Sequence, residues 1–252
     1  MRSRFYAPAP WSDTDKLTEF TLPAEVFHHA ITVLRMRVGD VCDLFDGMGH
    51  CASAELTQIE KKSAQARWLS APTLQIDNES PLNITLAQCL SSADKMDWTI
   101  EKAVELGVRH IVPVFSARSQ VKLSPERITK KMEHWQRIII AACAQSERNV
   151  LPTLAQPLAL SQWLGAVKDS SDYKIVLHPD PALPTTLSTL PKPAPTQAIH
   201  VLIGPESGLD AREIELAMHT GFKPTLLGTR ILRTETAGLA TISALQTLWG
   251  DF

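Results

Sequence analysis

The 252-residue sequence lacks the features that would assign it at once to a membrane or secreted protein class. It has no apolar run of about 18 residues, the length that a membrane-spanning helix requires. No apolar segment follows the two arginines near its N-terminus, as it would in a signal peptide. The formal net charge of -2 gives no general affinity for nucleic acid, because that affinity comes from clustered lysines and arginines. We therefore expect a cytoplasmic globular protein without membrane association.

Metal-binding and redox motifs are also missing from the sequence. The four cysteines are scattered and show no C-x-x-C spacing, and the eight histidines form no H-x-x-x-H pair. We expect no metal site, and we expect the cysteines to be reduced and packed in the interior. Neither a G-x-G-x-x-G motif nor a Walker A loop is present, so the common phosphate-cradling loops are not indicated.

The first 70 residues predict a β-rich domain that contains one helix. Short runs with imperfect alternation occupy residues 41–45, 50–59 and 63–69, and an Asp-Gly pair marks a hairpin turn between the first two. Residues 23–35 have helical spacing of apolar side chains. The polar stretch 71–81 contains two prolines and reads as a linker. We predict two domains, residues 1–74 and 75–252.

Beyond the linker, predicted strands and helices alternate, which indicates an α/β domain with a parallel sheet covered by helices. The predicted strands are residues 84–90, 110–115, 173–179, 199–204 and 225–228. The predicted helices are residues 94–107, a long helix that starts at the Ser-Pro pair 124–125, and residues 211–221 and 240–250. Asp210 and Glu213 form a predicted capping box. The prolines between residues 179 and 195 predict a long surface loop.

The loop IGPESGL, residues 203–209, lies where a predicted strand ends and a predicted helix begins. Parallel α/β sheets bind ligands at this position. Gly204 and Gly208 permit either a close approach of the backbone or a positive φ. A tight turn that needs glycine only for its shape is the alternative interpretation.

A second loop, LLGTRILRTETAGLA, residues 226–240, places Arg233, Glu235 and three threonines between an apolar strand and an apolar helix. Ionic groups in apolar surroundings must be paired, hydrated or used in function. Alternatively, Thr234 or Thr236 caps the helix and the arginines are solvated. Capping does not explain an arginine and a glutamate so close together in this stretch.

Basic side chains concentrate in two parts of the chain. Residues 109–148 hold an excess of lysine and arginine over glutamate, and further arginines lie in the β-rich domain. Solvated surface is the simpler interpretation of each cluster. The stretch CAQSERNVLP, residues 143–152, ends the long predicted helix and forms either a polar helix end or a surface that recognises bases.

Together these motifs resemble one family over nearly the whole chain. The segments LSSADKMDWTIEKAVELGV, CAQSERNVLP, IGPESGL and LGTRILRTETA, with LRMRVGD and LFDG nearer the N-terminus, are similar to those of the bacterial 16S rRNA (uracil-N3)-methyltransferases, the RsmE family of the SPOUT class. The resemblance implies an N-terminal PUA-like β-barrel that helps to hold RNA. It also implies a C-terminal SPOUT α/β domain whose last part forms a trefoil knot, which the usual rule against threading would not suggest.

The resemblance further implies the cofactor, the partners and the site residues. S-adenosylmethionine is expected among three loops at residues 177–180, 202–208 and 226–233, with 16S rRNA of the small ribosomal subunit as substrate and a homodimer as the assembly. The expected catalytic residues are Arg233 and Glu235. The expected cofactor-binding residues are Leu177, His178, Pro179, Ile203, Gly204, Pro205, Glu206, Gly208, Leu227, Gly228, Ile231, Leu232 and Thr236. The expected RNA-binding residues are Arg4, Arg35, Arg37, Arg118, Lys122, Gln145, Arg148 and Asn149.

Two positions depart from the family pattern. Ser207 replaces one glycine of the usual GPEGG, and Ala144 replaces the glutamate of the usual CEQ. A serine fits if its φ is negative, and the alanine excludes a carboxylate role at that position. Two alternative functions stay open: a SPOUT 2'-O-ribose methyltransferase, whose S-L-N-like run LRTETA lacks, and a non-catalytic RNA-binding protein of ribosome assembly.

Overall fold

The protein is described by a computed structural model that covers residues 2–9, 11, 18–119, 121, 124–180 and 185–252. The chain divides into two compact units. The first comprises Met1–Glu79 and Cys143–Leu151, and the second comprises Ser80–Ala142 and Pro152–Phe252. This division falls after Glu79, whereas the sequence placed a domain boundary after residue 74. The nine residues Cys143–Leu151 also belong to the first unit. A prediction of two consecutive domains could not include this segment.

The first unit is built on a six-stranded sheet with the order β1-β3-β4-β5-β2, and β6 pairs with β4. Its strands are β1 (Ser3–Tyr6), β2 (Glu19–Thr21), β3 (Val41–Phe45), β4 (His50–Ile59), β5 (Ala64–Trp68) and β6 (Thr73–Leu74). The sequence predicted β3, β4 and β5, and it missed the other three, which are short. Within the described residues no ladder joins β1 to β2, so closure of the sheet into a barrel stays a prediction.

The predicted helix of residues 23–35 is not a single α-helix. One α-helical turn, α1 (Ala24–Phe27), continues as a π-helix over His28–Val33. Val26 and Ala30 are buried in one cluster with residues of the sheet. Their burial on the same side of the segment explains the helical spacing of apolar residues in the sequence. Arg35 then has a φ of 56° and ends the helical segment in the left-handed region. π-Helical turns of this kind are often found at functional sites.

Residues 143–151 are held to the first unit by buried polar side chains. The Arg148 guanidinium donates two hydrogen bonds to one carboxylate oxygen of Glu79, at 3.1 Å from Nε and 2.7 Å from a terminal nitrogen. Asn149 accepts from Arg4 at 2.7 Å and donates to the Gln75 carbonyl at 2.9 Å. Arg148 and Asn149 are only 2% and 5% exposed. Their polar groups are therefore used inside the protein, and contact of these two residues with RNA stays a prediction.

The second unit contains a seven-stranded sheet in which every ladder is parallel, as the sequence predicted. The order is β10-β8-β7-β12-β11-β13, and β9 also pairs with β8. The strands are β7 (Ile84–Cys89), β8 (His110–Phe115), β9 (Thr153–Leu154), β10 (Leu158–Ala159), β11 (Tyr173–Leu177), β12 (Ile199–Ile203) and β13 (Lys223–Thr225). The last strand was predicted at residues 225–228; it ends where that prediction begins, so residues 226–228 belong to a loop.

Among the described residues, five α-helices lie or begin in the second unit: α2 (Ala93–Glu105), α3 (Pro125–Ser146), α4 (Leu160–Val167), α5 (Ala211–His219) and α6 (Thr234–Trp249). The predicted capping box at the start of α5 is confirmed, since Asp210 accepts from the Glu213 N–H at 2.8 Å and the Glu213 carboxylate accepts from the Asp210 N–H at 3.0 Å. The short helix α4 was not predicted. Helix α6 begins at Thr234, whereas the sequence predicted a start at residue 240. The prediction was late because residues 234–236 are polar and interrupt the helical spacing of apolar residues.

Helices cover both faces of the parallel sheet. Ala87 and Leu202 pack in one cluster with residues of α4 and α5. Leu86 and Ile203, the alternate positions on the same strands, lie next to Gly238 of α6, because successive side chains of a strand point to opposite faces. The proline-rich segment is not a pure surface loop, since Leu187 begins a 3₁₀ turn (Leu187–Thr189) and is 4% exposed.

All four cysteines are free and buried, so the prediction of packed thiols is confirmed. Burial, assisted by the negative charge of Asp43, raises the pKa of Cys42 to about 12. No described helix has both the length and the apolar character needed to cross a membrane. The described residues contain no group of three or more histidine, cysteine or acidic side chains that could hold a metal ion.

Candidate active site

A cavity of about 620 Å³ lies at the carboxyl ends of β11, β12 and β13 in the second unit. The three loops that leave these strands line it, over residues 177–179, 203–209 and 225–234, with residue 229 excepted. Lys95 and Arg118, from the segments that follow β7 and β8, and Ile214 and Ala237, from the helices that follow two of the loops, complete the lining. Carboxyl ends of parallel strands are the usual ligand site of α/β sheets, and the volume suits a cofactor-sized molecule.

The loop after β12 needs its two glycines for different reasons. A Cβ on Gly204 would lie 3.1 Å from the backbone nitrogen of Leu209, so a side chain there would require the backbone of this turn to shift. Gly208 has a φ of 71°. Ser207 is not among the positive-φ residues of the described chain, so the serine fits as predicted. Its hydroxyl donates to the Arg118 carbonyl at 3.0 Å, and the Arg118 guanidinium donates to the Ser207 carbonyl at 3.3 Å.

The loop after β13 is joined to the rest of the site through Thr234, the first residue of α6. Its hydroxyl donates to the Gly204 carbonyl at 2.6 Å and accepts from the Gln88 side-chain amide at 2.8 Å. The helix N-cap is Arg233, which makes no side-chain capping bond. The alternative interpretation, that Thr234 caps α6, is therefore wrong. The threonine ties two cavity loops to the buried end of β7.

Arg233 and Glu235 differ in their surroundings. Arg233 is exposed and lines the cavity together with Arg230 and Ile231. Glu235 lies in the first turn of α6, is not among the residues that line the cavity, and has a side chain that is 16% exposed. Its Oε2 atom is buried and makes no hydrogen bond to any described residue.

Lys95 is not among the site residues predicted from the sequence, and it lies between this glutamate and the cavity. Its Nζ lies 3.1 Å from Oε1 of Glu206 and 3.9 Å from Oε2 of Glu235. Burial opposes ionisation of Glu206, but hydrogen bonds from its own backbone, from Lys95 and from the Ser92 N–H hold the pKa of its carboxyl below the usual value. The position of Lys95 in the sequence could have indicated a place near the site, because Lys95 lies in the first turn of α2, the helix that follows β7, and β7 pairs with β12.

The predicted cofactor-binding residues all line the cavity except Thr236, which is exposed and outside it. The helix explains this exception. Because α6 begins at Thr234 and has 3.6 residues per turn, residues 234 and 237 share a side that meets the cavity, and residue 236 lies on another side. Thr236 therefore does not line the cavity, and its contact with the cofactor stays a prediction.

The predicted RNA-binding residues are spread over both units. Arg35, Arg37 and Gln145 are exposed in the first unit, and Arg4 is half-buried there. Arg118 is exposed in the second unit, where it lines the cavity. Lys122 lies outside the described residues.

Comparison with known proteins identifies the family. Residues 78–246 match the model of an RNA methyltransferase domain, and residues 22–68 match that of an RNA methyltransferase PUA domain. A ribosomal RNA small subunit methyltransferase E from Buchnera aphidicola is 35% identical, with 95% of this chain and 92% of the relative covered. The Bacillus subtilis protein of the same name is 31% identical over 96% of this chain and 95% of its own.

Solved structures give the same answer. The ribosomal RNA small subunit methyltransferase E from Neisseria gonorrhoeae, bound to S-adenosylmethionine, is 42% identical, with a TM-score of 0.88 and full coverage of both chains. A methyltransferase from Legionella pneumophila, also in complex with S-adenosylmethionine, is 36% identical with a TM-score of 0.90 over the whole of both chains. The chain belongs to the RNA methyltransferase family that includes the ribosomal RNA small subunit methyltransferases E.

Proposed function

We propose that this protein transfers a methyl group from S-adenosylmethionine to N3 of a specific uridine in 16S rRNA of the small ribosomal subunit. The observation that carries the proposal is the cavity at the carboxyl ends of β11, β12 and β13, formed by the loops that contain GPES and LLGTRILR. The similar structures bound to S-adenosylmethionine support the donor. The names of the relatives support the small-subunit RNA as substrate.

The lining of the cavity fits this cofactor. Leu177, Leu227 and Ile231 supply apolar surface for an adenosine, and Gly228, with a φ of 79° and open space around it, leaves room for a close approach of the ligand. The wall also contains the Glu206 carboxylate, which is paired with Lys95. When bound, S-adenosylmethionine supplies a methyl group carried on a positively charged sulfur.

We assign the catalytic roles to Arg233 and Glu235. Methylation at N3 requires removal of the N3 proton, which leaves negative charge on the uracil. The Arg233 guanidinium at the cavity stabilises this charge and orients the base. Glu235 accepts the proton. Its Oε2 makes no hydrogen bond to any described residue and lies 3.9 Å from Nζ of Lys95, which lines the cavity.

The proposal is tested with small subunits from cells that lack this protein. Incubation with the protein and S-adenosylmethionine is expected to add one methyl group to 16S rRNA, and digestion to nucleosides is expected to yield 3-methyluridine. A methyl group on the ribose would favour the 2'-O-methyltransferase instead. Calorimetry that detects no binding of S-adenosylmethionine would favour the non-catalytic RNA-binding protein.

Replacing Arg233 by alanine is expected to lower the rate of small-subunit methylation about 10- to 100-fold. The effect of one charge-stabilising donor reaches about 100- to 1,000-fold in enclosed sites, and it is smaller here because the side chain is exposed and screened by solvent. Arg212→Ala removes an exposed arginine of α5 as a control and is expected to keep the wild-type rate. A wild-type rate for Arg233→Ala would remove Arg233 from the catalytic residues.

In the first unit, Arg35 and Arg37 are the best-supported RNA contacts. Both are exposed, and Arg35 follows the π-helix in a left-handed conformation that arginine rarely adopts. Such a conformation costs about 1–3 kcal/mol and tends to persist where it serves a function. We infer that it presents the guanidinium to the RNA backbone.

Arg35→Gly is therefore expected to weaken binding of the small subunit while leaving the protein as stable as before or more stable, by up to about 1 kcal/mol, because glycine adopts a positive φ without strain. The slope of log affinity against log salt concentration should also fall in magnitude by about one, as expected for the loss of one phosphate contact. Lys62→Gly, at an exposed position between β4 and β5, is the matched control and should not change affinity. Equal affinity of the two variants would exclude Arg35 from the RNA interface.

We also propose the trefoil knot that the family resemblance implies. Strand β13 lies at the edge of the sheet beyond β11, yet α6 packs on β12 and β7, nearer the middle. The connecting residues 226–233 meet the β11–β12 connection, since Leu226 bridges to Thr186 and α6 packs on the 3₁₀ turn. A crystal structure in which this segment does not pass through a loop of the chain would refute the knot.

Homodimerisation is the last part of the proposal. Ile231, at the cavity, is 84% exposed, and Leu216 and Met218 of α5 are also exposed apolar side chains. Apolar surface of this kind favours burial against a ligand or a second chain. Light scattering that gives the mass of a single chain at micromolar concentration would contradict this assembly.

A further inference from the structure

Lys95 is a charged side chain of the cavity that lies close to carboxylates from two other parts of the second unit. It projects from the first turn of α2 and lines the cavity. Glu206 belongs to the loop after β12, and Glu235 belongs to the first turn of α6. The Lys95 Nζ lies 3.1 Å from Oε1 of Glu206 and 3.9 Å from Oε2 of Glu235.

The two carboxylates hold the lysine unequally. The contact with Glu206 is a hydrogen bond, and the same Glu206 oxygen also accepts from the Ser92 N–H at 3.4 Å, at the start of α2. The approach to Glu235 is longer than a hydrogen bond, and the Glu235 oxygen that faces Lys95 has no other donor among the described residues. Glu206 thus holds the Lys95 ammonium group in place. The ammonium group in turn attracts Oε2 of Glu235, which has no hydrogen-bond partner among the described residues.

We infer that Lys95 is a positioning residue for methyl transfer, which rests on the proposed function: its ammonium group, anchored by Glu206, holds the Glu235 carboxylate at the edge of the cavity. Glu235 does not itself line the cavity, whereas Lys95 does. The lysine therefore sets the place and orientation from which the carboxylate can accept a proton. Small errors in the placement of a catalytic group reduce rates strongly, by about 100-fold for 1 Å.

Another lysine of the same helix supplies a matched control. Lys102 contacts Glu101 and Glu105, each at 2.7 Å, and these hydrogen bonds raise the pKa of its ammonium group. It is also a lysine between two glutamates on α2, but it is not among the residues that line the cavity. Lys102→Met tests the loss of such a lysine without a change at the cavity.

The experiment measures kcat, KM for small subunits and the Kd of S-adenosylmethionine for Lys95→Met, Lys95→Arg, Lys102→Met, Glu235→Gln and the Lys95→Met/Glu235→Gln double variant. Lys95→Met is expected to lower kcat on the order of 10- to 100-fold with the cofactor Kd within about threefold of wild type. Lys95→Arg is expected to recover most of the loss, and Lys102→Met to match the wild type. In the Glu235→Gln background, Lys95→Met is expected to add less than about a twofold loss, because the residue through which it acts is already disabled.

Independent, multiplicative losses in the double variant would overturn the inference, since Lys95 would then act without Glu235. A loss of cofactor affinity in Lys95→Met that accounts for the lower rate would assign the lysine to cofactor binding and overturn it as well. If the wild-type protein does not methylate small subunits at all, the proposed function fails and the inference fails with it. Methylation by the wild type with independent losses overturns the inference alone.

Discussion

Glu235→Gln is expected to lower kcat for small-subunit methylation by about 100-fold or more, while the Kd for S-adenosylmethionine stays within about threefold of wild type. Glutamine keeps the shape of the side chain but cannot accept the N3 proton, and a positioned general base contributes about 100- to 10,000-fold. Cofactor affinity is expected to persist because Glu235 does not line the cavity. Single-turnover methylation with saturating donor measures the first quantity, and calorimetry measures the second.

The matched control for this prediction is Glu215→Gln. Glu215 is an exposed glutamate in α5, and its substitution should leave both the rate and the donor affinity unchanged. If Glu235→Gln abolished binding of S-adenosylmethionine, the carboxylate would have a structural or cofactor-binding role. If the variant kept the wild-type rate, a different group would have to accept the proton.

The periodicity of the sequence was sufficient to predict the central part of the second unit. β7, β8 and β12 are apolar runs bounded by polar residues, and the Asp210–Glu213 capping box is a local pattern that the structure reproduces. The two loops that line most of the cavity could be located because they follow such strands. Signals of this kind are contained within a few neighbouring residues, so a single sequence reveals them.

The features that the sequence did not reveal depend on residues far apart in the chain. Lys95 is separated from Glu206 by 111 positions, so nothing near it indicates an ion pair at the cavity. Arg148 and Asn149 read as a polar helix end, but their partners lie at Glu79 and Gln75. Short edge strands such as β9 and β10 carry two residues each and show no period. Tertiary contacts decide all of these cases.

The ion pair between Arg148 and Glu79 leads to the largest expected effect on stability. Glu79→Ala is expected to lower the free energy of unfolding by about 3–5 kcal/mol, because it removes the carboxylate that pairs with a buried guanidinium. The side chains of Arg148 and Glu79 are only 3% and 8% exposed, and the second Glu79 oxygen accepts from the Val150 N–H at 3.2 Å. Urea unfolding followed by tryptophan fluorescence, at constant m-value, measures the difference.

The pair between Arg67 and Glu55 provides the matched control within the same unit. Its nitrogen–oxygen distance is also 2.7 Å, but its side chains are 39% and 29% exposed. Glu55→Ala is therefore expected to cost no more than about 1 kcal/mol. In contrast, Glu79→Leu combined with Arg148→Met should recover much of the loss, because both buried charges are then removed together. Equal losses for Glu79→Ala and Glu55→Ala would show that burial does not set the strength of the Arg148–Glu79 pair, and that the attachment of residues 143–151 depends on their other contacts.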